Sequence, residues 1–285
     1  MRLITLNLWA RSGPYAVREP LLREGIALLA PDVLALQEVD SDQAEQLLGP
    51  LGYTVAYEPR VGENVADPGI AVASRHPIVD RRLIELPHGG AAVAARVQTG
   101  EGSFWCCSAV PMPGWPGQEG QREDEAVALD AALTEIAAGD ELPPILAGDF
   151  DATPDAASIR FLTGLQSLQG KSTVWYDAWA VAGDGSPGHT WTSDNPYVAP
   201  FAAAVFAQPV HHRRIDYVFV GSPFRWRPRV VVRSCQVVLT GGPQGAPSDH
   251  YGVMADLDLN GITLGDGRGL ETWADTEAML WQRPQ

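Results

Sequence analysis

Short apolar runs cut apart by glycine and proline, with only two long amphipathic stretches among them, constrain the fold of this chain most. The 29 glycines and 23 prolines are spread along the sequence rather than gathered in one linker. Apolar runs bounded by turn residues predict strands at 3–9, 33–36, 69–74, 91–98, 103–110, 145–147, 215–220, 230–239 and 252–259. Helical spacing predicts a helix over 17–30, through Leu21, Leu22, Ile26 and Leu29. A second is predicted over 121–138, with Ala126, Leu129, Leu133 and Ile136 on one face. Several strands fall between these helices, so strict βαβ alternation is not expected. Two sheets packed face to face, with helices outside, bury both sets of strands and define an α+β class. No repeat or composition break divides the chain. The sequence therefore predicts one domain over 1–259 and a polar C-terminal tail over 260–285.

Charge narrows the partners. There are 35 acidic against 20 basic residues, for a net charge of −15, and no Lys/Arg run of five. Such a chain is repelled by phosphate polyanions, which disfavours long nucleic acid and anionic membranes as partners. Three cysteines, two of them adjacent at Cys106 and Cys107, make no disulfide framework, and that adjacent pair, on a strand, is expected to pack. The N-terminus enters a strand-like run without a signal-peptide core, and the longest nearly apolar stretch, 197–210, is broken by Pro200 and Pro209. A cytoplasmic protein without a transmembrane segment is expected.

Polar side chains recur where the apolar runs end. Asn7 follows Ile4-Thr5-Leu6, Glu38 follows Leu34-Ala35-Leu36, and Asp149 follows Ile145-Leu146-Ala147. Asp216 sits in Arg214-Ile215-Asp216-Tyr217, and Asp249-His250 follows a turn-rich segment. A single carboxylate at a strand end is ordinarily a solvated group or a cap. The ordered set Leu6-Asn7, Gln37-Glu38, Gly148-Asp149-Phe150-Asp151, Ile215-Asp216-Tyr217 and Ser248-Asp249-His250 resembles the endonuclease/exonuclease/phosphatase superfamily of DNase I-like phosphoesterases. The resemblance runs from residue 1 to about 259. It implies a four-layer α/β/β/α sandwich with two mainly antiparallel sheets, and Mg²⁺- or Mn²⁺-dependent cleavage of a phosphoester in a cleft at one end of the sheets.

By the family pattern, Glu38 holds the metal, Asn7 adds a neutral oxygen nearby, and Asp249 lies at the metal's edge. His250 is the central imidazole and Asp216 its partner. Asp149 orients or deprotonates the attacking water, or serves the leaving group. Hard oxygen ligands suit Mg²⁺. Carboxylates crowded together raise one another's pKa, and a divalent cation is the natural compensation.

Two departures from the pattern stand out. The usual Thr-His-Leu segment corresponds to Ser108-Ala109-Val110, so an imidazole that contacts the phosphate is missing at Ala109. Losing one such donor typically costs about 10²–10³ in rate. Asp151 stands where most members carry Asn; an ionised carboxylate accepts hydrogen bonds but cannot donate one to a phosphate. Three readings stay open. Another imidazole, from His88, His189, His211 or His212, replaces the lost one; two ions are bound, with Asp149 and Asp151 holding the second; or the cleft is impaired or repurposed for binding or a different reaction.

Substrate signals are fewer. His189, Trp115 in a Pro/Gly-rich loop, and Arg214 are candidate substrate contacts. The apolar segment 197–206 is either a flap over the cleft or a packed helix or dimer contact. Cations near the motifs are sparse, which points to a small phosphomonoester or phosphodiester.

Overall fold

The computed structural model describes residues 1–59, 68–111, 117–226 and 230–261. The N-terminal half runs β1 (Arg2–Asn7), α1 (Tyr15–Leu29), β2 (Val33–Val39), α2 (Ser41–Leu48), β3 (Thr54–Glu58), β4 (Gly69–Ser74), β5 (Ile78–Glu85), β6 (Ala91–Gln98) and β7 (Ser103–Val110). It continues through α3 (Glu119–Ile136), β8 (Ile145–Asp149), α4 (Ala157–Leu162), β9 (Trp175–Asp177), α5 (Ala178–Ala182), β10 (Trp191–Thr192) and α6 (Val198–Phe206). The strands β11 (His212–Arg213), β12 (Asp216–Gly221), β13 (Val231–Val238) and β14 (Gly252–Asp258) close the described chain.

These strands form two six-stranded mixed sheets, ordered β13-β14-β1-β2-β4-β3 and β5-β6-β7-β8-β12-β9, plus the small pair β10-β11. Each large sheet has one parallel pair, β1 with β2 and β7 with β8, and all its other neighbours are antiparallel. A parallel pair needs a crossover, and α1 and α3, the two helices legible as long periodic stretches, supply one each. Each sheet therefore holds a single βαβ unit within an antiparallel surround. Ligand sites in sheets of this kind gather beyond the carboxyl ends of parallel strands, which is where Asn7, Glu38 and Asp149 fall.

Alternation along the strands builds the layers. Leu3, Val33, Ala35, Val93, Cys106, Ile145 and Val218 meet between the sheets. Their neighbours Ile4, Leu6, Leu34 and Leu36 pack outward on Leu22 and Ile26 of α1. On the far side Ala92, Ala94 and Leu146 pack on Leu129 and Leu133 of α3. Strands covered on both faces read as continuous apolar runs, which is why they were legible. The described elements missed by pattern were short or half-exposed, such as β5, whose burial is irregular, and α2, started by a capping box between Asp40 and Gln43.

Gly148 shows how tightly β7 and β8 meet. A Cβ there would lie 2.0 Å from the Ala109 carbonyl oxygen, so only glycine fits before Asp149. All three cysteines are buried and unpaired, and burial pushes the Cys106 thiol up to about 12. No helix among the described residues is long and apolar enough to cross a membrane. The tail beyond Gly261 lies outside the described residues.

Candidate active site

The pairing of β1 with β2 places Asn7 beside Gln37, one residue before Glu38. There the β2–β4 register slips between Leu36 and Val39, and Glu38 takes a left-handed φ of 49°. A bulge of this kind re-aims a side chain, at a backbone cost that side chains other than glycine and asparagine seldom bear. Asn7 Nδ2 donates to Glu38 Oε1 at 3.1 Å and to Asp149 Oδ2 at 3.0 Å, joining the ends of the two sheets. The Trp9 N–H donates to Asn7 Oδ1 at 2.9 Å and so fixes which way the amide faces. Asn7 thus turns its nitrogen, not its oxygen, toward the carboxylates.

The antiparallel pairing of β8 with β12 sets Asp149 directly opposite Asp216. Asp216 is buried, and Thr190 Oγ1 accepts from the Ile215 and Asp216 N–H groups ahead of β12. His250 Nδ1 lies 3.1 Å from Asp216 Oδ2, and its Nε2 lies 3.8 Å from Asp149 Oδ2. Asp149, Asp216 and His250 each bring a potential ligand atom within 4.8 Å of the others. Because Asp216 occupies Nδ1, the trio reads first as an oriented imidazole beside a carboxylate. The Asp151 N–H donates to Asp149 Oδ1 at 3.0 Å, so both oxygens of Asp149 are held.

Loops complete the floor. Ser248 Oγ donates to the Asn7 carbonyl at 2.7 Å, and Asn195 Nδ2 donates to the carbonyls of Ser248 and Asp249 at 2.8 and 3.1 Å. Arg18, fully buried, spends its guanidinium on the carbonyls of Leu8, Ala10, Ser12 and Pro247 and lies under the Trp9 ring at 4.9 Å. It clamps the loop after β1 to the one before Asp249. Burial lowers its pKa, with the field of Asp249 opposing.

Electrostatics follow from this crowding. Burial pushes Glu38, Asp149 and Asp249 above the usual carboxylate range, and neighbouring carboxylates add to the shift. Burial alone would lower His250, but Asp216, Asp149 and Asp249 outweigh it and hold the imidazole well above its ordinary value. The surrounding carboxylates thus favour the protonated form of the His250 imidazole.

A cavity of about 300 Å³ opens over these groups. Glu38, Asp149, Asp151, Asp249, His250 and Arg213 line its polar side; Trp9, Trp191, Tyr197, Val198, Phe201 and Phe206 line the other. The segment 197–206 is thus helix α6, and it walls the cleft. Asp151, at φ 51°, lies 3.8 Å from Arg213 Nη1, and Arg213 Nη2 donates to its carbonyl. The charge expected to repel phosphate is thereby offset by a neighbouring cation.

Other expected contacts fall elsewhere. Arg214 points away from the cleft, bound at 2.8 Å to Asp177 and stacked on Tyr217, because its neighbour Arg213 takes the cleft side. His189 stacks on His212, ring centroids 5.2 Å apart, and lines a separate cavity with Trp179 and Tyr251. His88 binds Asp124, and His211 stacks on Phe206. Among the described residues, His250 alone brings an imidazole to the cleft lining. Trp115 lies outside the described residues. Ala109 is fully buried in the core shared with α3 and does not line the cavity. Trp9, Arg18, Thr190, Asn195 and Arg213 were not predicted site residues. None carries a local motif, and only the fold brings them together.

An acidic cleft at the carboxyl ends of two face-to-face sheets is the architecture of DNase I-like proteins. The chain belongs to the endonuclease/exonuclease/phosphatase family, whose model matches residues 4–250. It is 27% identical to rat and human Nocturnin over 201 residues, 61% of this chain and 47% of each relative. The chain thus aligns with about half the length of those relatives. The human Nocturnin catalytic domain with a bound sulfate anion superposes with TM-score 0.70 and 22% identity, covering 90% of this chain and 94% of that one. Zebrafish TDP2 complexed with a single-strand DNA product gives 0.69 and 18%, over 90% and 98%. A family protein from Bacteroides vulgatus gives 0.68 and 20%, over 90% and 98%. Since one fold neighbour holds DNA, the fold itself does not exclude nucleic acid, and the expectation against it rests on charge alone.

Proposed function

We propose that this cleft hydrolyses a small phosphoester with the help of Mg²⁺ or Mn²⁺. The residues fit such an ion. Glu38 and Asp249 are hard oxygen donors whose proton affinity burial raises, Glu38 adding to the shift at Asp249; four carboxylates face the cavity, and Arg213 is the one Lys or Arg among the described residues lining it. Glu38 and Asp249 would hold the ion, and Asn7 would steady Glu38 from the side. When bound, the ion supplies charge that draws the phosphate oxygens in and offsets the carboxylate repulsion.

The protein's own groups do the rest. Asp149, fixed at both oxygens and pushed upward in pKa, takes the proton of the attacking water. The His250 imidazolium, oriented by Asp216, presents its Nε2 proton to a phosphoryl oxygen and stabilises the charge that builds there. Asp151 and Arg213 form the next edge of the cleft. Ala109 offers no donor, so His250 carries the imidazole contribution alone.

The observation that carries this reading is the link from Glu38 through Asn7 to Asp149, set beside the His250–Asp216 pair. The net charge of −15 supports a small phosphomonoester or phosphodiester over long nucleic acid. The test is hydrolysis of p-nitrophenyl phosphate and bis-(p-nitrophenyl) phosphate with Mg²⁺, Mn²⁺ or EDTA. Metal-dependent turnover, abolished in Asp149→Ala and in His250→Ala, is the expected result. A folded protein inert with every metal overturns the reading and returns the cleft to binding or a different reaction.

A further inference from the structure

One side of the cavity has no part in the chemistry described so far. Trp191 meets Phe201 and Phe206 edge-on at 6.0 and 6.1 Å, and those two rings meet each other at 5.8 Å. Trp9 and Tyr197, the latter at the start of α6, lie 5.3 Å apart. These rings share one cavity with Glu38, Asp149 and His250. Helix α6 is apolar throughout, yet only Val198 and Ala202 on it are buried, and Phe201 remains 44% exposed. A helix that needed only to pack would expose polar side chains on its open face.

The wall is tied to the floor. The Tyr197 N–H donates to Asn195 Oδ1 at 3.0 Å, and Asn195 in turn holds the Asp249 carbonyl. Whatever rests on α6 is therefore held in register with whatever reacts at Asp149. Charge limits what that can be. Arg213 is the only Lys or Arg among the described lining residues, and it already faces Asp151. A first phosphate has His250, Arg213 and a bound cation to meet it. Among the described lining residues, a second phosphate would have only carboxylates and apolar side chains as neighbours.

Building on the phosphoester reading, we infer that the cleft selects esters with a single phosphate and, beside the leaving group, an uncharged apolar substituent that lies against α6 and Trp191. Aromatic and alkyl groups share this chemistry. The cavity of about 300 Å³ limits the substituent to a small one.

The experiment holds the leaving group constant. Four p-nitrophenyl diesters are compared in Mn²⁺, their second substituent being methyl, hexyl, phenyl or 2-phosphoethyl. The expected order places phenyl and hexyl about ten-fold above methyl in kcat/KM, with 2-phosphoethyl lowest. A phenyl lead over hexyl identifies a stacked ring; parity identifies burial alone. Phe201→Ala should lower the phenyl rate about five-fold more than the methyl rate. Leu28→Ala, 86% exposed on α1, should change none of the four.

Equal kcat/KM across methyl, hexyl and phenyl, or a lead for 2-phosphoethyl, overturns the inference. If no diester turns over, binding of diphenyl and dimethyl phosphate is titrated by calorimetry. Tighter diphenyl binding that is lost in Phe201→Ala keeps the inference while the hydrolytic reading is judged on the monoester assay. Equal binding of the two rejects the inference whatever the assay shows.

Discussion

The acidic floor of the cleft is built from strand ends and the loops beside them, whereas much of its apolar wall hangs on one short helix. In the floor, Asn7 and Asp216 are 1% exposed, and Asp149 is bonded at both oxygens. In the wall, Phe201 is 44% exposed and meets Trp191 and Phe206 edge-on. Charges that act on a reacting phosphate must be fixed in position, because a small misplacement forfeits much of the rate. Apolar contacts are non-directional and tolerate exchange. Reaction and selectivity should therefore separate under mutation.

The largest expected effect breaks the floor. Asp149→Asn keeps the shape and removes the base, so steady-state turnover should fall about 10³-fold while the phenyl-to-methyl preference stays as it was. A preference that changes with the rate would merge the two regions. Asp216→Asn should cost about 10²-fold and also shift the pH profile. Asp216 is among the groups that raise His250 against its burial, so without it the imidazolium is lost at lower pH. The alkaline limb of kcat/KM should move toward acid, and an unmoved limb would assign it to another group.

Metal binding sharpens the comparison, because it acts on the floor alone. Burial holds Glu38, Asp149 and Asp249 above their ordinary values of 4.5, 3.8 and 3.8. The metal-free fold thus keeps protons that the unfolded chain has released. Their destabilising effect is absent below the ordinary values and grows as pH rises through the raised ones. His250 has the same slope, its stabilisation being present below 6.5 and lost as pH rises through its raised value. An ion at a hundred times its Kd adds about 2.7 kcal/mol, a Tm gain of roughly 5 °C or more. That gain should appear at pH 7.5, shrink toward pH 4, and vanish in Glu38→Gln, as read by thermal melts with Mn²⁺ or EDTA.

The smallest effect lies at the joint between the two regions. Asn195→Ala removes the bonds to the Ser248 and Asp249 carbonyls and to Tyr197, at a cost of about 1–2 kcal/mol in thermal unfolding. The ester preference should weaken with it. A loss of stability with preference intact would show that α6 holds its place without the floor.

The two regions also differ in how far the sequence disclosed them. Glu38, Asp149, Asp216 and His250 were legible as candidates because their ordered flanks resemble those of the family; a strand end alone would have left each an ordinary solvated group. The wall was ambiguous because the run 197–206 fits a flap and a packed helix equally well. Arg213 and Arg214 were indistinguishable as neighbours in sequence, and one faces Asp151 while the other faces Asp177. His189 was near a motif in sequence and outside the cleft in space.

Sequence by itself determined the two long helices and most of the strands, since apolar periodicity is a property of consecutive residues, and the ordered motifs that resemble the family singled out the acidic residues as candidates. Tertiary structure alone decided that Asn7 turns its nitrogen to Glu38 and Asp149, that Arg18 clamps two distant loops, and that six apolar side chains stand over the floor. Those are contacts between residues as many as 229 positions apart, fixed by how the sheets pack, and no local pattern carries them.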